Sequence, residues 1–235
     1  KSQQLNQTTT LDIYVPEHWR KGLILNVNSG EEYLSLETAI SEASSGDALQ
    51  IWPGNYPEMV VIDKPLVITG NSTADVLLKG TGDDYVIDID ADSVTIRNLT
   101  VLDGEGVHID GPSDGVTLEW LVIHNSSAIG LHAFKNDNLA LSNLTITNSS
   151  QDGILFYKTT SSVVSDCTVS NSGENGIHVE SADGVEFQRI SLNSNGESGF
   201  SIDTSDSISV SDSVIRDNAQ TDTASWEFHS ITTDV

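Results

Sequence analysis

Gly130-Leu131-His132-Ala133-Phe134, Gly153-Ile154-Leu155-Phe156-Tyr157, Gly176-Ile177-His178-Val179-Glu180 and Gly199-Phe200-Ser201-Ile202-Asp203 are four copies of one phrase, each 23 residues after the last. An earlier copy, Gly106-Val107-His108-Ile109-Asp110, precedes them with one extra residue in its turn, Gly111-Pro112-Ser113-Asp114-Gly115. A second apolar column keeps the period: Leu118, Leu141, Val164, Phe187, Val210. A third runs Ile123, Ile146, Val169, Leu192, Ile215, and Ile96 and Val101 stand one unit earlier in the two columns. Within each copy apolar and polar residues alternate, which is the period of a strand with one face inward. The intervening segments are short and rich in Gly, Ser, Asn and Asp, so they are turns. A 23-residue unit made of strands and tight turns has no room for a helix. It must coil, stacking each strand on its equivalent about 4.8 Å away. A leucine-rich repeat has a similar period, but its columns would be dominated by leucine and each unit would carry a helical segment. The expected fold is all-β: a single-stranded right-handed parallel β-helix.

Ser35 can cap a short helix whose apolar residues Leu36, Ala39, Ile40 and Ala43 fall on one face, with Gly46 ending it. Such a helix covers the open first rung of a solenoid. The expected organisation is an extension over 1–34, a capping helix over 35–46, the β-helix over 47–222 and a C-terminal strand or cap over 223–235. The stretch from Glu37 to Glu58, with its Ile51-Trp52-Pro53-Gly54-Asn55-Tyr56-Pro57 core, resembles the opening of right-handed parallel β-helix proteins of the pectate-lyase-like and NosD-like periplasmic kinds. Val61 to Gly70 resembles their first rung. The resemblance covers roughly 30–220. It implies the fold and leaves the function open, since that fold carries lyases, hydrolases, epimerases, adhesins and inert spacers.

The chain has 10 basic and 35 acidic side chains, a formal charge of −25. A surface of that sign repels nucleic acid and anionic membranes, so neither is an expected partner. The acidity is spread along the chain, and it suits a protein kept soluble in concentrated salt, as in a halophile. Cys167 is the one cysteine. It falls at an inward position and reads as a buried apolar group. No run of 18 apolar residues suggests a membrane span. The opening at Lys1, without a visible leader, reads as a mature or trimmed secreted product.

Alternation turns one set of side chains outward on the first strand of each rung: Asp88, His108, His132, Leu155, His178, Ser201, and beside them Asp90, Asp110, Phe134, Tyr157, Glu180, Asp203. Lys135 and Lys158 follow in adjacent rungs. His132, Phe134, Lys135, Tyr157 and Lys158 are the candidate ligand-binding patch, with rings to stack on sugars and ammonium groups to meet carboxylates. Cross-strand packing on a sheet surface accounts for the same residues. His108, His132, Asp88 and Asp110 have the donor types of a metal site, but also those of solvated surface residues. Asn125, Asn148 and Asn171 form a turn ladder. Sequons at Asn6, Asn71, Asn98, Asn125, Asn143 and Asn148 are candidate glycosylation sites.

Pectate lyases, which the chain resembles in fold, pair clustered carboxylates with an arginine base. None of the four arginines, Arg20, Arg97, Arg189 and Arg216, accompanies such a cluster here. Polygalacturonase-like motifs are missing apart from Asp83-Asp84. The expectation is therefore a non-catalytic extracellular or cell-surface protein, structural, adhesive or an assembly subunit, with glycans or other cell-surface proteins as partners and no cofactor. The alternative is a polysaccharide lyase, hydrolase or epimerase acting on acidic glycans. The alternating apolar residues of 5–15 (Leu11, Ile13, Val15) and of the C-terminal segment (Trp226, Phe228, Ile231) suggest self-assembly by strand addition between the ends.

Overall fold

The computed structural model describes residues 22–82 and 84–218, together with the backbone of strands Trp226–Phe228 and Ile231–Thr233. The chain winds as a parallel β-solenoid of about seven turns and about 23 residues per turn. One face is a parallel sheet of seven strands: Val60–Ile62, Ile87–Ile89, Val107–Ile109, Leu131–Phe134, Ile154–Tyr157, Ile177–Glu180 and Phe200–Asp203. The other strands of each turn stack in the same sense, and their register is the one the columns demand. Leu118 pairs with Leu141, Leu141 with Val164, Val164 with Phe187 and Phe187 with Val210. Ile123, Ile146, Val169, Leu192 and Ile215 pair in the same way. A one-residue slip would turn the whole apolar set out to water, which is why the register is so well specified.

The inward columns form one continuous core. Phe156 and Phe187 are fully buried and meet edge to face with ring centroids 5.6 Å apart. Corners between strands are made by residues with left-handed backbone, stacked in columns. One column is Asn98, Trp120, Asn143, Asp166, Arg189 and Asp212. Asn125, Asn148 and Asn171 form another, and the Asn148 amide donates to Asn125 Oδ1 at 3.3 Å. Lys135 and Lys158 belong to a third, at the end of the seven-stranded face.

Both ends are covered by the chain itself. At the first rung the helix spans Leu36–Glu42, with Ser35 as N-cap accepting from the Thr38 amide. It stops at Ala43 rather than running to Gly46, because Ala43 turns extended and the Lys64 ammonium donates to the carbonyls of Ile40, Ser41 and Ala43. A strand over Ile24–Asn26 lies antiparallel against Ala48–Ile51. At the last rung, Ile231–Thr233 pairs antiparallel with Ile208–Ser211, and Trp226–Phe228 with Ser213–Arg216. The edge expected to template a neighbouring subunit is thus occupied in cis, and self-assembly through strand addition is left unsupported. The proposed partner segment, 5–15, lies outside the described residues, as do Asn6 and the side chains of Trp226, Phe228 and Ile231.

Candidate functional site

The outward columns of the seven-stranded face come together as read. His108 lies opposite His132, His132 opposite Leu155, Phe134 opposite Tyr157 and Leu155 opposite His178. Stacking at one-rung intervals brings their rings into contact and produces a ladder of five. Tyr85 stacks on His108 with centroids 4.3 Å apart and planes 15° from parallel. His108 leans on His132 at 5.0 Å, His132 meets Phe134 edge-on at 5.9 Å, and Phe134 stacks on Tyr157 at 5.4 Å. The ladder runs along the solenoid axis, from the turn before Ile87–Ile89 to the strand Ile154–Tyr157.

Its upper part is an acid–base group. The Tyr85 hydroxyl lies 3.4 Å from His132 Nδ1, and His108 Nδ1 lies 2.9 Å from Asp88 Oδ1. Burial drives the His132 pKa down to about 4, assisted by repulsion from His108 and opposed by Asp110. The imidazole is therefore neutral at neutral pH, so Nδ1, if unprotonated, accepts from the phenol. Burial, with Glu105 and Asp88 adding to it, also raises the Tyr85 pKa and keeps that group a phenol.

The lower part is an aromatic and cationic patch. Phe134 and Tyr157 are half-buried, and their rings are less open than the sequence suggested. They stack on each other, and the ammonium groups of Lys135 and Lys158 lie over them, 4.5 and 5.0 Å from the respective centroids. The left-handed backbone at both lysines folds these side chains back over the rings of the preceding residues. Beyond Leu155 a separate chain of groups continues the face. Asp152, only 4% exposed, accepts from the Asn175 amide and side chain and reaches His178 Nδ1 at 3.2 Å. His178 Nε2 in turn lies 3.2 Å from Asp203 Oδ2.

The structure thus brings His132, Phe134, Lys135, Tyr157 and Lys158 into one surface and adds His108 and Asp88 to it. It gives no metal geometry: among the described residues no group of three or more His, Cys, Asp or Glu side chains is placed to hold an ion. The imidazoles of His108 and His132 meet as rings, with centroids 5.0 Å apart and planes tilted by 37°. Two site residues escaped the sequence reading. Tyr85 and Asp152 both stand two positions before the first inward residue of their strands, Ile87 and Ile154, in the turn rather than in the alternating segment. The signal was an aromatic and an acid at the same offset, visible only once turn positions are read as part of the face.

The family model described as right handed beta helix region matches residues 105–226. No curated protein matches the chain. Among solved structures it superposes on the A-module of the Azotobacter vinelandii mannuronan C-5 epimerase AlgE6, with a TM-score of 0.59 at 15% identity, over 70% of this chain and 52% of that one. The A-module of AlgE4 from the same organism gives 0.56 at 16% identity, over 78% and 72%. The catalytic domain of a GH87 alpha-1,3-glucanase, in complex with nigerose, gives 0.50 at 14% identity, over 73% and 37%. The chain therefore spans about half the length of the first of these. At such identities the likeness is one of fold. It nevertheless overturns the expectation of a non-catalytic spacer or adhesin, since these counterparts are carbohydrate-active enzymes.

Proposed function

We propose that this chain, which belongs to the right-handed β-helix region family, acts on an acidic polysaccharide laid along the ring ladder, as a uronate lyase or epimerase. The observation that carries the reading is the Tyr85–His132 pair at one end of the ladder with Lys135 and Lys158 at the other. Both reactions begin by removing the proton next to a uronate carboxylate. Tyr85 takes that proton as its own passes to the neutral His132. The lysine ammonium groups, farther along the ladder, hold the carboxylates of neighbouring uronate units and so fix the polymer in place. In elimination the proton then goes to the departing glycosidic oxygen, the carbon–oxygen bond breaks and a carbon–carbon double bond forms. One acid–base pair on one side of the sugar suffices for that sequence, so elimination is the first choice. Epimerisation additionally needs a proton donor on the opposite face.

The same reading assigns the protein to the outside of the cell, where such polymers are found. Asn71, Asn125 and Asn148 are exposed sequons there, and they are the preferred positions for attached glycans; mass spectrometry of tryptic peptides from the native source tests this.

The test uses polymannuronate and polygalacturonate in deuterated buffer. Ultraviolet absorbance reports unsaturated products, and proton NMR reports exchange at C5. Tyr85→Phe and His132→Gln should each lower turnover on the order of 10²-fold or more. Lys135→Ala with Lys158→Ala should act mainly on KM. If neither polymer yields unsaturated ends or C5 exchange, the proposal fails.

A further inference from the structure

We propose that the cavity beside Trp120, on a different face from the ring ladder, is a second carbohydrate site that takes a neutral pyranose unit of a glycan. Trp120 holds a corner position with φ +54°, in the column otherwise occupied by Asn98, Asn143, Asp166, Arg189 and Asp212. Four of those five are Asn or Asp, the types that tolerate left-handed backbone through their short polar side chains. A bulky indole has no such tolerance, so the fold keeps a strained residue here where an asparagine would serve the corner better. Nor does packing account for it. Trp120 is 56% exposed, while its chain neighbour Leu121 is fully buried and supplies the core contact.

The indole borders a cavity of about 230 Å³, whose polar lining is Thr73, Asn143, Thr145 and Asp166. Asp166 is fixed there by a bidentate pair with Arg189, at 2.7 Å for each of its two oxygens. The arrangement offers an aromatic platform beside hydroxyl, amide and carboxylate groups, which is what the hydroxyls and apolar face of a pyranose require. The charge selects a neutral sugar. The site has a carboxylate in its wall and no lysine, whereas the ring ladder has two lysines. A uronate would find no unpaired cation there, since the lining has none and the neighbouring Arg189 is held by Asp166. Such a site would hold a mixed or neutral polymer while the other face works independently of it.

The experiment uses the full chain produced in a bacterium, so that Asn143 carries no glycan. Cellohexaose, laminarihexaose, maltohexaose and mannohexaose are each titrated to about 10 mM, the affinity range of weak glycan contacts. The readout is the Trp120 indole N–H signal, assigned by its loss in Trp120→Phe. At least one neutral hexaose should shift that signal saturably, and oligomannuronate should not. Trp120→Asn, which places the column's usual residue type at the corner, should lose affinity at least about tenfold. The same variant should raise Tm, because it relieves the backbone strain. Tyr157→Ala should leave neutral-glycan binding unchanged. No shift with any of the four hexaoses, a shift produced by the acidic oligomer instead, or unaltered binding in Trp120→Asn overturns the proposal.

Discussion

His132 illustrates how one side chain couples stability to chemistry. Its folded pKa is about 4, below the ordinary histidine value near 6.5, because burial disfavours its charged form. The unfolded chain therefore binds the extra proton more readily. The stabilisation is fully present above about pH 6.5 and is lost as pH falls toward 4. Discounted for the solvent that reaches the ring, the loss is about 1–2 kcal/mol, and His132→Gln should flatten that part of a pH-dependent urea titration. For the proposed reaction, the acidic limb of kcat/KM should fall near pH 4 rather than 6.5. Cys167 behaves in the opposite sense. Burial pushes its thiol up to about 12, and its sulfur donates to the Ser165 carbonyl at 3.1 Å. A thiol reagent at pH 8 should leave it unmodified in the native protein and label it fully in denaturant.

At the scale of elements, stacked columns decide stability. In one buried corner column the lower rungs carry asparagine and the upper rungs serine. Asn195 donates to Asn218 Oδ1 at 2.8 Å, and its own Oδ1 accepts from the Ser172 amide at 3.0 Å. The Ser126, Ser149 and Ser172 hydroxyls are buried without a hydrogen-bond partner. Glycines Gly153 and Gly176 leave the space in which these side chains lie. Ser172→Asn should extend the ladder by one rung and stabilise by about 1 kcal/mol, a rise of about 2–4 °C in Tm by calorimetry. Phe156→Ala removes a ring packed on Phe187 and should cost about 3–5 kcal/mol. The columns behind these predictions were legible from the 23-residue period, down to which residue faces which. The helix end was not, because Lys64, 21 residues beyond Ala43 in the chain, supplies its carbonyl partners.

For the whole molecule, the ends and the net charge matter most. The antiparallel strands Trp226–Phe228 and Ile231–Thr233 cover the last rung. Truncation after Asn218 uncovers the edges of Ile208–Ser211 and Ser213–Arg216, and the shortened protein should associate through them. Light scattering after size exclusion should show oligomers for the truncated chain and fewer or none for the full one. A charge of −25 repels itself across the folded surface. Raising sodium chloride from about 0.05 to 1 M should therefore raise the urea midpoint, since the screening length shrinks to about 3 Å.

Periodicity alone determined the solenoid, its inward columns and the strand register, because each rung can bury its apolar residues only against its counterparts one period away. It also placed the histidines and aromatics on one face, since alternation within a strand leaves only two sides. Only the tertiary structure decided what those residues form together. Tyr85 joins His132 across 47 positions of chain, and Asp152 reaches His178 across 26, through turns whose geometry no short-range pattern encodes. The lysines lie over the rings because the backbone at Lys135 and Lys158 is left-handed. The low pKa of His132 likewise arises from the groups packed around it, a property of the assembled face and not of any segment.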